Sequence, residues 1–288
     1  MKEYYILSNK KKINIIEDDT IIDFKCILIN IHGLGSHFQP VYDCPNELNR
    51  RIENFKLAKI KTFAIELTGH GKSDMIKGYF GDFDNLIIDV KNLIDVISYK
   101  HKKKPIYLIG ESMGGAVAIK FSLLYKHLIS GVILLAPLCG IPKENIPGNT
   151  TKRILYFLSE YFPHAKLLGR KSVRGCLNKK YNLERDKSIH SYQDKVMLKT
   201  GKECVQFCEW LKNHRKDFDL PILIFHAEND NITSFDSTLE FFNNIISKDK
   251  KLINISEGHH SILVPIKDDD VFPTGILLSI TNWINYRT

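Results

Sequence analysis

Short, nearly continuous apolar runs recur along the chain, with stretches of helical period between them. The runs are Cys26–Ile31, Thr62–Leu67, Ile106–Ile109, Val132–Ala136, Ile222–His226 and Leu252–Ile255. Runs of this length without polar alternation predict strands covered on both faces, as in a parallel sheet between helical layers. Tyr4–Leu7 and Ile13–Ile16 predict an antiparallel hairpin at one edge. Helices are predicted over Asn46–Phe55, Phe83–Tyr99, Gly115–Tyr125, Ser237–Ile246 and Gly275–Tyr286. The alternation predicts an α/β chain with a mostly parallel central sheet and helices on both faces.

It breaks once. From about Cys139 to Asp219 the pattern turns helical, after the turn-forming Gly140, Pro142, Pro147 and Gly148. This predicts a core first part (1–138), a helical cap insertion (139–219) and a core second part (220–288). An insertion at the carboxyl ends of parallel strands lies over the crevice where ligands bind in such sheets. Its first predicted helix, Arg153–Phe162, gathers Ile154, Leu155, Phe157, Leu158, Tyr161 and Phe162 on one broad apolar face. That face is expected to pack on the core, the alternative being an acyl-chain groove or a membrane-touching surface.

Composition narrows the class. With 43% hydrophobic and 26% charged residues in 288, the chain has the usage of a globular protein and is not a disordered one. The longest apolar run, Gly131 to Ile141, falls short of the roughly 18 residues that span a bilayer. The opening MKEYYILSNKKK lacks the apolar stretch of a signal peptide, so a cytoplasmic protein, peripheral at most to membranes, is expected. The net charge of +8 is carried by lysines in short clusters, such as Lys10 to Lys12 and Lys102 to Lys104. Such a field favours anionic surfaces, and weak, salt-sensitive contact of the cap with anionic lipid is one expectation. Scattered lysines otherwise read as a solvated surface, and with no arginine-rich or RNA-binding motif no nucleic-acid partner is expected. The six cysteines, Cys26, Cys44, Cys139, Cys176, Cys204 and Cys208, have no metal-ligand spacing and are expected as free thiols.

The sharpest chemical signal is Gly110-Glu111-Ser112-Met113-Gly114-Gly115, between a predicted strand and a predicted helix. The bare pattern GxSxG arises by chance in roughly a tenth of chains this long. Its strand–turn–helix setting is what a nucleophile elbow requires: the tight turn strains the serine backbone and lifts its hydroxyl to a helix N-terminus. A serine hydroxyl needs a base and an orienting acid. Asp230 follows the strand Ile222–His226, with Glu228 and Asp236 as competing acids. His260 follows Leu252–Ile255, with His259 as the competing base. The chain order Ser, Asp, His is that of an α/β-hydrolase. Two N–H donors must also face the oxyanion. Met113, after the nucleophile, is one candidate. Leu34, within His32-Gly33-Leu34-Gly35-Ser36-His37 after the strand Cys26–Ile31, is the other. The GKS of Gly69–Ser73 is no phosphate loop, because the first glycine of that motif would fall on Glu66. No motif calls for a metal or a dinucleotide.

These segments together resemble the monoacylglycerol lipase and lysophospholipase group of α/β-hydrolases, with the plant-type monoacylglycerol lipases and caffeoylshikimate esterases most similar. The matching stretches are HGLGSHFQPVYD (His32–Asp43), GHGKSD (Gly69–Asp74), GESMGGAVAIKFSL (Gly110–Leu123), LLAPLCGI (Leu134–Ile141), YQDKVMLKT (Tyr192–Thr200), HAENDNIT (His226–Thr233) and EGHHSIL (Glu257–Leu263). The resemblance implies an α/β-hydrolase fold with Ser112 as nucleophile, Asp230 as acid, His260 as base, and Leu34 with Met113 as oxyanion donors. It implies a monoacyl lipid ester as substrate, no cofactor and no catalytic metal, with His32, Gly33, Leu155 and Leu158 near the substrate. This chain departs from the family pattern at Ala227, where glycine is usual, and after the base, where Val264-Pro265-Ile266 replaces a segment with a glutamate. The alternatives are an esterase or thioesterase for small or aromatic acyl groups, and a non-catalytic lipid-binding protein on the same fold.

Overall fold

A computed structural model describes residues 1–38, 47–166, 175–256, 258–267 and 273–288. Outside this set fall Asn46, the last part of HGLGSHFQPVYD, Cys44 and Glu257 of EGHHSIL. The strands are β1 (Lys2–Ser8), β2 (Lys11–Glu17), β3 (Cys26–Ile31), β4 (Ile60–Glu66), β5 (Ile106–Glu111), β6 (Gly131–Leu135), β7 (Ile222–Ala227) and β8 (Lys250–Ile255). The helices are α1 (Glu47–Leu57), α2 (Phe83–Lys100), α3 (Met113–Tyr125), α4 (Asn149–Tyr161), α5 (Lys179–Lys187), α6 (Leu198–His214), α7 (Phe235–Asn244) and α8 (Thr274–Asn285).

Among the described residues the strands form one sheet in the order β1-β2-β4-β3-β5-β6-β7-β8. β1 and β2 make the antiparallel edge hairpin, β2 joins β4 antiparallel, and the remaining pairs are parallel. Every residue of β3, β4, β6 and β7 is buried, which is why these segments are mostly apolar along their length. The period of two is still visible in where they point. Ile27, Ile29 and Ile31 of β3 join α2, α3 and α6 in the larger core. Cys26 and Leu28 join Phe55 of α1 and Leu277, Ile280 and Trp283 of α8 on the other face. α3 is buried nearly all round, as a helix must be when it lies between the sheet and a further helix.

The glycine-rich loop after β4 closes on its own strand. The buried carboxylate of Glu66 accepts hydrogen bonds from Lys72 N–H at 2.7 Å, Asn14 Nδ2 at 2.9 Å and Phe38 N–H at 3.2 Å. The Lys72 amide of this loop is thus taken up by a carboxylate of the preceding strand.

Between β6 and β7 the chain runs through α4, α5 and α6. α6 belongs to the core: Cys204, Phe207, Cys208 and Leu211 lie in the larger cluster, and Phe207 stacks on Phe83 of α2 at 4.8 Å. Here one expectation is corrected. The apolar face of α4 does not pack on the core, since Ile154, Phe157, Tyr161 and Phe162 are 55–67% exposed. Leu155 and Leu158 are half-buried. Cys26, Cys139, Cys204 and Cys208 are free and buried, and burial pushes the thiols of Cys26 and Cys208 up to about 12.

Candidate active site

β5 ends at Glu111 and α3 begins at Met113, which leaves Ser112 alone in the turn. Its backbone is forced to φ 51°, ψ −118°, a region strained for any residue with a Cβ. The turn is tight because backbone crowds it from both sides. A Cβ at Gly110 would lie 2.3 Å from Gly114 O, and one at Gly114 would lie 2.2 Å from Ile31 O. The serine backbone is then pinned: Ser112 N–H donates to Leu135 O at 3.0 Å, and Ser112 O accepts from Leu138 N–H at 2.9 Å. Glu111 is held from α1 by an ion pair with the buried Arg51.

The loop after β3 faces the serine directly. A Cβ at Gly33 would stand 3.1 Å from Ser112 Cβ and 3.7 Å from its Oγ. Among the described residues neither Leu34 N–H nor Met113 N–H donates a hydrogen bond, so both remain available beside Ser112. His32 is 2% exposed, its Nδ1 lies 2.8 Å from Gly33 O, and its Nε2 accepts from Leu67 N–H at 3.1 Å. Both ring nitrogens are occupied by backbone, so His32 braces this loop. Burial, with the neighbouring His70, holds its pKa well below the ordinary value.

Asp230 and His260 come together after β7 and β8, with Asp230 Oδ2 2.7 Å from His260 Nδ1. The side chain of Asp230 is fully buried and surrounded by donors. Oδ1 accepts from Ile232 N–H at 2.8 Å and Thr233 N–H at 3.0 Å. Oδ2 is also approached by Thr233 Oγ1 at 2.9 Å and His226 Nε2 at 3.2 Å. Burial opposes the charged form, but the hydrogen bonds from His226 and His260 outweigh it and hold the carboxyl well below the usual carboxylate range. The competing acids are elsewhere engaged: Glu228 bonds Asn254 at the surface, and Asp236 sits in the first turn of α7. The competing base faces away, with His259 Nδ1 3.1 Å from Gly175 O. No hydrogen bond joins Ser112 Oγ to His260; the adjacency of β5, β6, β7 and β8 brings their loops to one end of the sheet.

The helical insertion grips the loops around this site. Tyr192 N–H donates to Gly35 O at 2.9 Å, and His37 Nε2 lies 2.9 Å from Ser188 Oγ and 3.1 Å from Ser191 Oγ. Ser261 N–H, next to His260, donates to Gly175 O at 3.2 Å. Sequence reasoning passed over His226, Thr233, Gly175 and Tyr192. His226, Thr233 and Tyr192 lie inside recognised motifs, whereas nothing local marks Gly175. Among the described residues no group of three or more His, Cys, Asp or Glu side chains is arranged to hold a metal ion.

Comparison with known proteins places this arrangement. The family described as serine aminopeptidase, S33, matches residues 23–265. A putative monoglyceride lipase of Schizosaccharomyces pombe is 25% identical over 253 residues, covering 84% of this chain and 63% of that protein. The chain thus spans under two thirds of that relative's length. Caffeoylshikimate esterase of Arabidopsis thaliana is 27% identical over 273 residues, covering 89% of this chain and 76% of its own. In fold, the solved monoglyceride lipase of Saccharomyces cerevisiae superposes with a TM-score of 0.80 at 20% identity, over 100% of this chain and 95% of that one.

Proposed function

This chain belongs to the serine aminopeptidase S33 family, and we propose that within it the protein is a serine hydrolase that cleaves the carboxylic ester of a monoacyl lipid. One observation carries the reading: a strained Ser112 with the Gly33–Leu34 loop against it, and the Asp230–His260 pair at the same end of the sheet.

In the proposed reaction, His260 Nε2 takes the proton of Ser112 Oγ as that oxygen bonds to the ester carbonyl carbon. Asp230 holds Nδ1–H and stabilises the imidazolium. The carbonyl oxygen becomes an oxyanion against the N–H groups of Leu34 and Met113. As the C–O bond breaks, His260 returns the proton to the departing alcohol. Water then attacks the acyl-enzyme, giving its proton to His260, and Ser112 is regenerated as the fatty acid leaves. The bond from Ser112 Oγ to His260 forms when substrate arrives, as catalytic hydrogen bonds commonly do.

The insertion 139–219 carries the cap in this reading, with Leu155 and Leu158 on the half-buried flank of α4 toward an acyl chain. The exposed Ile154, Phe157, Tyr161 and Phe162 give the same helix an apolar outer face for a lipid aggregate. No helix among the described residues is long and apolar enough to cross a membrane. A second reading, hydrolysis of an aromatic acyl ester, is favoured by the likeness to caffeoylshikimate esterase.

The test is fatty-acid release from equimolar 1-oleoylglycerol and oleoyl-lysophosphatidylcholine, followed by mass spectrometry, with Ser112→Ala as control. Release that disappears in the control supports the first reading, and the preferred head group separates lipase from lysophospholipase. Release from neither, with turnover of feruloyl or caffeoyl esters, supports the second.

A further inference from the structure

Asp230 is shared between two histidines, and the proposed reaction uses one of them. Besides His260, the fully buried His226 of β7 brings Nε2 to 3.2 Å from Oδ2. Its other nitrogen, Nδ1, lies 3.0 Å from Thr238 Oγ1 on α7. An ionised carboxylate can only accept hydrogen bonds, so the nitrogen facing it carries the proton. The bonding pattern therefore assigns His226 as the Nε2–H tautomer, with Nδ1 accepting the Thr238 hydroxyl proton.

We propose that His226 is a positioning residue for this reaction: its Nε2–H, oriented by Thr238, holds Asp230 Oδ2 on the line to His260 Nδ1. The proposal rests on the hydrolase reading above.

The carboxylate torsion of an aspartate is soft, and two backbone N–H groups on Oδ1 leave Oδ2 to be fixed by other donors. Thr233 Oγ1 is one, but it also lies 3.1 Å from Ala136 O and has a single proton for both. Among the described residues His226 is the remaining side chain on Oδ2 apart from the base itself. It also shares the charge of that oxygen. Without it one donor fewer shares that charge, and the imidazolium of His260 is stabilised more. No proton passes through His226 in this role. The titratable groups facing it are Asp230 and His260, and across Thr238 the Cys139 thiol, which burial pushes up and keeps neutral. A histidine that merely filled the core would leave the protonation of His260 untouched.

The experiment compares the intact chain with His226→Met, which keeps volume and removes the donor, and His226→Gln, which returns an amide N–H near Asp230. The readouts are p-nitrophenyl butyrate hydrolysis from pH 5 to 9, the rate of Ser112 labelling by a fluorophosphonate, and thermal melting. His226→Met is expected to lower kcat about tenfold with KM changed less than about twofold, and to move the acid limb of kcat/KM upward by about half a pH unit. His226→Gln is expected to restore most of both. A folded His226→Met variant with wild-type kcat and acid limb overturns the proposal, as does a folded His226→Gln variant as impaired as His226→Met. Should His226→Met not fold, Thr238→Val removes the hydroxyl that orients the ring. An upward shift of the acid limb with a kcat lowered about threefold is then expected, and an unchanged profile overturns the proposal. Absence of fluorophosphonate labelling in the unaltered protein sinks the hydrolase reading instead, so the two failures are distinct.

Discussion

Gly175 stands directly against His260: a Cβ built on it would come 2.9 Å from both Cβ and Cδ2 of the histidine. Its carbonyl accepts from Ser261 N–H, so a residue of the insertion both touches the proposed base and bonds the backbone beside it. Gly175→Ala must push one of the two aside. A displacement of the base by even 1 Å costs on the order of 100-fold, so we expect a kcat loss of about 10- to 100-fold with a small change in KM. Gly148→Ala, where a Cβ meets nothing within 4 Å, serves as the comparison and is expected to leave ester hydrolysis unchanged. Steady-state kinetics on a short-chain p-nitrophenyl ester reads both.

Asp230→Asn tests the acid. The amide would set an N–H among the donors that now converge on the carboxylate, and His260 Nδ1 would lose its acceptor. The expected loss in kcat is about 1,000- to 10,000-fold, with fluorophosphonate labelling of Ser112 slowed in parallel. Equal loss in Glu228→Gln would reassign the acid.

Acid stability follows from the buried His70, 2% exposed, whose pKa burial lowers to about 4. In the unfolded chain its pKa is about 6.5, so between these values the unfolded state binds more protons. Stability is therefore full above about pH 6.5 and is lost as pH falls toward 4. For this one group the loss from pH 7 to pH 5 is on the order of 2 kcal/mol. His70→Asn keeps a donor near Thr68 O and removes the titration. Urea denaturation at the two pH values should show a smaller difference for the variant; an equal difference would exclude His70 as a source.

The outer face of α4 sets a fourth expectation. Phe157 and Phe162 are 64% and 60% exposed, so replacing both by serine removes apolar surface without opening the core. Flotation with phosphatidylcholine vesicles should fall at least severalfold and be insensitive to salt in the parent protein. Flotation abolished by 0.5 M salt would instead assign any binding to the lysines.

Local signals located the strands well because a strand buried on both faces is mostly apolar along its length. β3 begins and ends where the pattern places it, while α3 starts two residues earlier than expected, since Ser112 O already accepts from Gly115 N–H and Ala116 N–H. The face of α4 was misjudged because an apolar stripe states only that a surface shuns water, not what covers it. α6 carries the same kind of stripe and is buried against Phe83, a partner more than 100 residues away. The partners of His32 are likewise not marked in its own stretch of sequence, since Leu67 and His70 come from the next strand's loop.

By itself the sequence determined the sheet, the strained turn at Ser112, and the loops from which Asp230 and His260 are supplied. These follow from period, glycine placement and chain order, which act over a few residues. Tertiary structure alone decided that His260 rather than His259 meets Asp230, that His226 shares that carboxylate, and that Gly175 and Tyr192 of the insertion hold the base loop and the Gly33–Gly35 loop. Those are contacts between segments distant along the chain or between two adjacent rings pointing in different directions. A hydrogen bond is decided within a few tenths of an ångström, which no spacing along the chain specifies.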